Sequence, residues 1–122
     1  MTKNILITGG SGFIGSHLTR KLLSLGYKVA ITTKYKSIID NIRSIDLWSK
    51  IKVIETDLRN LDSFNNLKSF KPDVVFHLAA YNHVGDSFSS FSESNSSNAV
   101  STYNLLNYFQ GKIDQFIYIS TS

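Results

Sequence analysis

The residues that point most clearly to a chemical role form a glycine-spaced turn near the start of the chain. Gly9, Gly12 and Gly15 lie between a short apolar segment, 4–8, and a segment with helical periodicity. In this arrangement the backbone N–H groups of the turn and of the first helical turn converge, and the helix dipole favours negative charge there. Gly9 permits a tight exit from the strand, Gly12 has no Cβ to hold off a phosphate, and Gly15 lets the helix lie close to the sheet. The spacing predicts a pyrophosphate cradle, and a glycine-rich turn without a ligand is the alternative.

The elements that must position this turn alternate between strand and helix along the chain. Apolar runs predict five strands, over 4–8, 27–33, 51–56, 74–78 and 116–120. Helical spacing predicts four helices, over 12–25, 37–47, 61–70 and 94–109. This alternation is typical of an α/β protein with a parallel sheet covered on both faces. Right-handed crossovers then give a Rossmann-like, doubly wound sheet of strand order 3-2-1-4-5, with a ligand crevice between strands one and four.

Two helices carry more detailed expectations. In the first helix, Ile14, Leu18 and Leu22 are expected to share one face. In the last helix the residues expected to be available for packing are Ala99, Tyr103, Leu106 and Tyr108. Gly26 and Gly111 are expected to end these two helices.

Composition narrows the class of protein. The chain has 122 residues and no cysteine, which excludes a disulfide framework, a thiolate metal site and a cysteine nucleophile. Its 13 lysines and arginines give a net charge of +4 but are spread along the whole chain, so we expect a solvated surface and no nucleic-acid partner. The sequence shows no apolar run of about 20 residues, and we expect a cytoplasmic protein with no membrane partner. The histidines and carboxylates show no metal-ligand spacing, so no metal site is predicted.

The chain resembles the extended short-chain dehydrogenase/reductase family of nucleotide-sugar epimerases and dehydratases. The resemblance begins at Thr8–Leu18 and covers essentially all of the sequence. Further matching blocks are Asp57-Leu58-Arg59, His77-Leu78-Ala79-Ala80, His83 to Ser87, Asn98 to Leu106, and Ile119-Ser120-Thr121-Ser122. The resemblance implies a nucleotide-sugar substrate, NAD or NADP as cofactor, and a homodimeric parent enzyme. It also implies cofactor contacts at the glycine turn and at Phe13, Ile14, Leu78, Ala79, Ala80 and Asn98.

The adenine end of the cofactor is expected at the end of strand three. There the Asp57 carboxylate can accept a hydrogen bond from the adenine amino group, and Leu58 can pack on the ring. The alternative is an aspartate that caps the following helix. His77, which ends a buried strand, is interpreted as a hydrogen-bonded structural residue.

The choice between NAD and NADP is expected at the end of strand two. NAD-binding members usually carry an acidic residue there, about 20 residues beyond the glycines. This chain has Thr33 and Lys34 instead, with Lys36 nearby. Without a carboxylate, and with two cations, the site favours a 2′-phosphate slightly, and NADP is the preferred prediction.

Fewer residues can be assigned to substrate binding and catalysis than to cofactor binding. The resemblance places His83 and Ser87 near the sugar nucleotide, and it identifies Thr121, or as second choice Ser122, as the hydroxyl that binds the reacting sugar. The family's acid/base tyrosine, with a lysine four residues later, is expected after strand five and is absent from the sequence. Tyr108 and Lys112 have that spacing but precede strand five, and Gly111 interrupts the helix that would align them, so we interpret them as a coincidence.

Two functional hypotheses follow. The first is that residues 1–122 form the NAD(P)-binding Rossmann domain of an epimerase or dehydratase, truncated after strand five and lacking its last strands and its substrate domain. On that hypothesis the chain alone is expected to be inactive, with strand five left as an apolar edge. The second is a non-catalytic NAD(P)-binding or sensor module.

Overall fold

The computed structural model describes residues 3–9, 13–33, 51–78 and 88–119 of the chain. The described elements begin and end within a few residues of their predicted bounds, except that the last helix begins earlier. The predicted helix over 37–47 lies outside the described residues. The elements in chain order are β1 (Asn4–Thr8), α1 (Phe13–Ser24), β2 (Lys28–Thr33), β3 (Ile51–Glu55), a 3-10 helix (Leu61–Ser69), β4 (Val74–His77), α2 (Phe88–Phe109) and β5 (Gln115–Tyr118).

The five strands form one parallel sheet in the order β3-β2-β1-β4-β5. The predicted fold class and strand order are confirmed. Thr8, the last residue of β1, is in register with Thr32 of β2 on one side and with His77 of β4 on the other. The carboxyl ends of all five strands therefore meet at one edge of the sheet.

Side chains on the two faces of the sheet form two separate core clusters, because successive residues of a strand point to opposite faces. Ile5, Ile7 and Ile31 pack on one face with Leu22 of α1. The cluster on the other face has more buried residues, and this face is covered by the 3-10 helix and by α2. Its buried members are Leu6, Ala30, Ile54, Leu58, Phe64, Leu67, Val75, Leu105 and Phe109. Helices thus cover both faces, as a doubly wound fold requires.

Two predictions about the helices need correction. The segment after β3 is a 3-10 helix, and Asn60 caps it by accepting a hydrogen bond from the backbone N–H of Asp62 at 3.0 Å. α2 begins at Phe88, six residues before the predicted start. Serine, which is frequent in this segment, is only mildly unfavourable within a helix and yields to the tertiary context.

The predicted packing positions of α2 are confirmed for Tyr108, which packs against the core, and wrong for Ala99, Tyr103 and Leu106. Tyr103 is 65% exposed and Leu106 is 49% exposed, whereas Ser101, Asn104, Leu105 and Phe109 are buried. The buried face includes polar residues, which an apolar pattern does not predict. The Asn104 side-chain amide donates to the Leu58 carbonyl at 2.9 Å and so anchors the helix to the turn after β3. The contact between Asn104 and Leu58 therefore helps to decide which face of α2 is buried.

The turns that end both helices follow the sequence expectation. Gly26 and Gly111 have φ angles of +90° and +74°, in the left-handed region that ends helices at glycine. β5 pairs with β4, and within the described part of the chain it has no second strand neighbour. None of the described helices is both long enough and apolar enough to cross a bilayer.

Candidate functional site

The glycine turn lies where the sheet reverses its strand order. β1 ends at Thr8, Gly9 has a φ of +70°, and α1 begins at Phe13. A φ in this region is easily adopted only by glycine, which explains the residue type at the exit from β1. From β1 the chain continues to β2 and β3 on one side, whereas β4 and β5 lie on the other side. In open α/β sheets this reversal point, at the carboxyl ends of the strands, is where ligands bind.

The start of α1 faces the same edge, and two of its residues can be compared with expectation. Gly15 is buried, and its carbonyl accepts a 2.7 Å hydrogen bond from Thr19 Oγ1. Leu22 lies in the core and Leu18 packs against it, whereas Ile14, on the same predicted face, is 51% exposed. Its place in the first turn of α1, next to the glycine turn, accounts for the exposure. Its predicted cofactor contact stays a prediction.

A buried hydrogen-bond network joins the ends of β1 and β4 directly beneath the glycine turn. Thr8 Oγ1 lies 2.6 Å from His77 Nδ1, and His77 Nε2 lies 3.0 Å from Thr102 Oγ1 of α2. The Leu78 backbone N–H donates to both the carbonyl and the hydroxyl of Thr8, each at 3.1 Å. The network therefore connects β1, β4 and α2 at the reversal point.

His77 is a neutral member of this network. Its side chain is 2% exposed, and burial lowers the pKa of His77 from 6.5 to about 4 because the charged form loses its hydration. A neutral imidazole has one donor and one acceptor nitrogen, which matches two hydroxyl partners that can each donate or accept. The interpretation of His77 as a satisfied structural histidine is confirmed.

The turn after β3 presents a charged group at the same edge. Asp57 Oδ1 accepts from the backbone N–H of Arg59 at 3.1 Å and from Arg59 Nε at 3.2 Å, and Oδ2 accepts from Arg59 Nη2 at 3.2 Å. The side chains of Asp57 and Arg59 are 32% and 41% exposed. Asp57 does not cap the 3-10 helix; Asn60 performs that function. β3 is two strands from β1, about 10 Å across the sheet, so a nucleotide held at Gly9 has a route along the edge to this turn.

The other predicted site residues fall into two groups. Leu58 is 7% exposed and belongs to the core, Thr33 is 7% exposed at the end of β2, and Leu78 is half-buried after β4. Their cofactor contacts stay predictions, and for Leu58 the core position leaves little surface for an adenine ring. Asn98 lies within α2. The remaining predicted residues lie outside the described residues: Gly12, Lys34, Ala79, Ala80, His83, Ser87, Thr121 and Ser122.

The Tyr108–Lys112 pair lies at the opposite end of the sheet. The helix ends at Phe109, and Gly111 has a φ of +74°, so the predicted interruption is confirmed. Lys112 Nζ nevertheless lies 4.5 Å from the centroid of the Tyr108 ring. The contact uses the face of the ring rather than the phenolic oxygen, and it stabilises the turn between α2 and β5. A groove of about 540 Å³ also lies at this end, lined by Leu106, Phe109 and Ile113 among others. Both features are distant from the glycine turn, so neither belongs to the candidate site.

Sequence reasoning missed three residues that build this edge. Thr8 and Thr102 lie within the motifs that carry the resemblance, but the sequence predicts no role for them. It also predicts no contact between Arg59 and Asp57. The signal for Arg59 was available, because an arginine two residues after an aspartate at a strand end can fold back onto the carboxylate. No local signal identifies the partners of His77, which are 69 and 25 residues away along the chain.

The arrangement fits a dinucleotide. It combines a positive-φ glycine before a helix N-terminus, a sheet reversal point, and a carboxylate about 10 Å along the edge. No group of three or more metal-ligating side chains occurs within the described ranges.

The sequence model of the NAD dependent epimerase/dehydratase family matches residues 5–122. The chain belongs to this family. It is 35% identical to the dTDP-D-glucose 4,6-dehydratase of Dictyostelium discoideum over 125 aligned positions, which cover 98% of the chain. Among solved structures it is similar to an epimerase from Methanothermobacter thermautotrophicus, with a TM-score of 0.83, 28% identity and 99% of the chain covered. It is also similar to the UDP-glucose 4-epimerase of Bifidobacterium longum, solved in complex with NAD+ and UDP, with a TM-score of 0.82, 26% identity and 98% of the chain covered.

These relatives are much longer than the matched region. The chain spans 29% of the Dictyostelium dehydratase, 36% of the Methanothermobacter epimerase and 37% of the Bifidobacterium epimerase. The shared region contains the glycine turn, the β3 turn and the β1–β4 network.

Proposed function

We propose that the chain is the cofactor-binding part of an NAD(P)-dependent enzyme that epimerises or dehydrates a nucleotide sugar through a transient keto sugar. The observation that carries the proposal is the Gly9 turn, which joins β1 to α1 at the reversal point of a 3-2-1-4-5 sheet. Membership of the family supports it, as do similar proteins named as a dTDP-D-glucose dehydratase and a UDP-glucose epimerase.

The described residues have distinct parts in this proposal. Backbone N–H groups of the glycine turn and of the first turn of α1 hold the pyrophosphate, where the helix dipole favours its charge. Asp57 accepts a hydrogen bond from the adenine amino group. His77 does not contact the ligand; it fixes Thr8, and through Thr8 the point at which the glycine turn begins.

Thr33, at the end of β2, and several residues outside the described ranges complete the assignment. Thr33 and Lys34 face the adenosine ribose, and the absence of a carboxylate in this pair favours NADP over NAD slightly. Ala79 and Ala80 leave room for the nicotinamide half, and His83 and Ser87 contact the sugar nucleotide. The Thr121 hydroxyl, with Ser122 as the alternative, hydrogen-bonds the reacting sugar hydroxyl. The cofactor, when bound, accepts a hydride from the sugar and can return it.

Cofactor binding is tested by calorimetric titration of the full-length protein with NAD and with NADP. We expect binding of both, with NADP tighter by a few-fold, since a partly exposed lysine contributes about 1 kcal/mol or less. Lys34→Ala should remove that preference. Gly9→Ala, which forces a side chain into a φ of +70°, should weaken both cofactors by about tenfold or more. Equal affinities would remove the NADP preference, and no binding of either would overturn the proposal.

Turnover is tested separately with UDP-glucose and dTDP-glucose, monitored by product chromatography. Conversion of either sugar nucleotide supports the proposed activity and separates epimerisation from dehydration. Cofactor binding without turnover of any sugar nucleotide would instead support a non-catalytic NAD(P)-binding module.

A further inference from the structure

The turn after β3 holds its carboxylate more tightly than a surface loop usually does. Arg59 reaches back two residues and donates to Asp57 three times, once from its backbone and twice from its guanidinium, at 3.1–3.2 Å. Both carboxylate oxygens are engaged by the planar fork of the same arginine. This geometry fixes the rotation of the carboxylate about its own axis, which a single hydrogen bond would not.

The backbone under the carboxylate is fixed as well. The Asp57 N–H donates to Ser63 Oγ at 3.1 Å, and the Asp57 carbonyl accepts from Ser63 Oγ at 2.7 Å and from the Asn60 N–H at 2.9 Å. The next residue, Leu58, is buried, and its carbonyl is held by Asn104 of α2. The Asp57 side chain therefore stands on a rigid base with its orientation set by Arg59.

Stability does not account for this arrangement. The two side chains are about one-third exposed or more, and ion pairs in such positions contribute little to the free energy of unfolding. What the contact does provide is a pre-oriented acceptor at the ligand edge of the sheet, about 10 Å from the glycine turn. Pre-orientation increases affinity and selectivity for a ligand because less ordering is required on binding.

We propose that Arg59 is a positioning residue that aligns the Asp57 carboxylate to select a purine with an amino donor at C6 over one with a carbonyl. This inference rests on the proposed cofactor-binding function. An amino group donates to the aligned carboxylate, whereas a carbonyl at the same position places an oxygen against it and leaves the carboxylate without that donor. A carboxylate free to rotate would turn away from the carbonyl and discriminate less.

The experiment compares NAD with nicotinamide hypoxanthine dinucleotide, which differs from NAD in carrying the carbonyl in place of the amino group. Dissociation constants for both are measured by calorimetry on the full-length wild type and on Arg59→Ala, Arg59→Lys, Asp57→Asn and Lys68→Ala. Lys68→Ala is the matched control, because it removes one exposed positive charge from the neighbouring 3-10 helix without touching Asp57. Circular dichroism confirms that each variant is folded.

We expect wild type and Lys68→Ala to prefer NAD by about tenfold or more, as for one hydrogen bond to a charged group. Arg59→Ala should reduce the preference to about threefold or less, mainly by weakening NAD. Arg59→Lys, which keeps the charge but lacks the fork, should fall between the two. Asp57→Asn should lose most of the preference because its amide can donate to the carbonyl.

Several results would overturn the inference. An unchanged preference in Arg59→Ala would show that Arg59 does not align the carboxylate. Tighter NAD binding by Arg59→Ala would show that the arginine competes with the ligand instead. A wild type that binds both dinucleotides equally would remove the role of Asp57 and leave the proposed function standing, whereas a wild type that binds neither would remove the proposed function itself.

Discussion

The carboxyl edge of the sheet has two polar regions built on opposite physical principles. At the ends of β1 and β4, the buried Thr8 and His77 form a neutral network with the half-buried Thr102 beneath the glycine turn. At the end of β3, Asp57 and Arg59 form an ionic contact that is open to solvent. Burial makes every unsatisfied polar atom costly in the first region, whereas water screens the charges in the second.

On the proposed function, this difference separates the residues that fix the glycine turn from those that recognise the ligand. The buried network fixes where β1 ends and where the cradle begins, and it can do so because an alternative arrangement would leave hydroxyl or imidazole groups unpaired. The exposed pair adds little to stability, so its orientation is available for selecting a ligand. Substitutions in the first region should therefore act on the free energy of unfolding, and those in the second on binding.

The largest effect is expected for His77→Leu. The substitution removes both imidazole contacts and leaves the buried Thr8 hydroxyl with one partner fewer, so the free energy of unfolding should fall by about 3 kcal/mol. Urea denaturation measures the change. Thr102→Val is the matched comparison, because it removes the contact at Nε2 and leaves the contact between Thr8 and Nδ1, and it should cost about 1 kcal/mol. Equal losses in the two variants would contradict a network centred on His77.

Acid should destabilise the protein through the same residue. The unfolded chain binds a proton at His77 with a pKa near 6.5, whereas the folded protein binds it with a pKa of about 4. The unfolded state therefore binds more protons between these values, and stability falls as the pH is lowered from 6.5 to 4. The loss should approach about 2–3 kcal/mol at pH 4. In denaturation curves recorded across this range, His77→Leu should show a shallower pH dependence; an unchanged slope would assign the effect to other groups.

Two buried threonines near the same edge should respond in opposite directions to valine. Thr8 Oγ1 contacts His77 and Leu78, so Thr8→Val should lower the free energy of unfolding by about 2 kcal/mol. Thr56 Oγ1 is buried and, among the described residues, has no hydrogen-bond partner. Thr56→Val should therefore raise the free energy of unfolding by roughly 1 kcal/mol. Destabilisation by Thr56→Val, measured in the same urea series, would reveal a hydrogen bond to that hydroxyl.

The smallest effect on stability is expected for Arg59→Ala. An exposed ion pair contributes about 1 kcal/mol or less, and salt screens it. The free energy of unfolding should change within that limit, and the difference from wild type should shrink between low salt and about 1 M salt. A loss as large as that for His77→Leu would end the contrast between the two regions.

The sequence alone determined the fold and the position of the glycine turn. Alternating apolar runs, Gly9 and Gly26 are local signals, since strand alternation and a positive φ depend on the residues themselves and their neighbours. They were sufficient for the strand order, for the glycine turn and for a buried, satisfied His77.

Only the tertiary structure decided which groups meet. The partners of His77 lie 69 and 25 residues away, the buried face of α2 follows from its contact with the carbonyl of Leu58, and Lys112 reaches Tyr108 because the chain reverses at Gly111. Arg59 is a neighbour of Asp57 in sequence, yet its contact depends on a turn whose backbone is held by the 3-10 helix and α2. Local pattern carries no information about the partners of His77 and Asn104, because these hydrogen bonds form only after the fold has brought distant segments together.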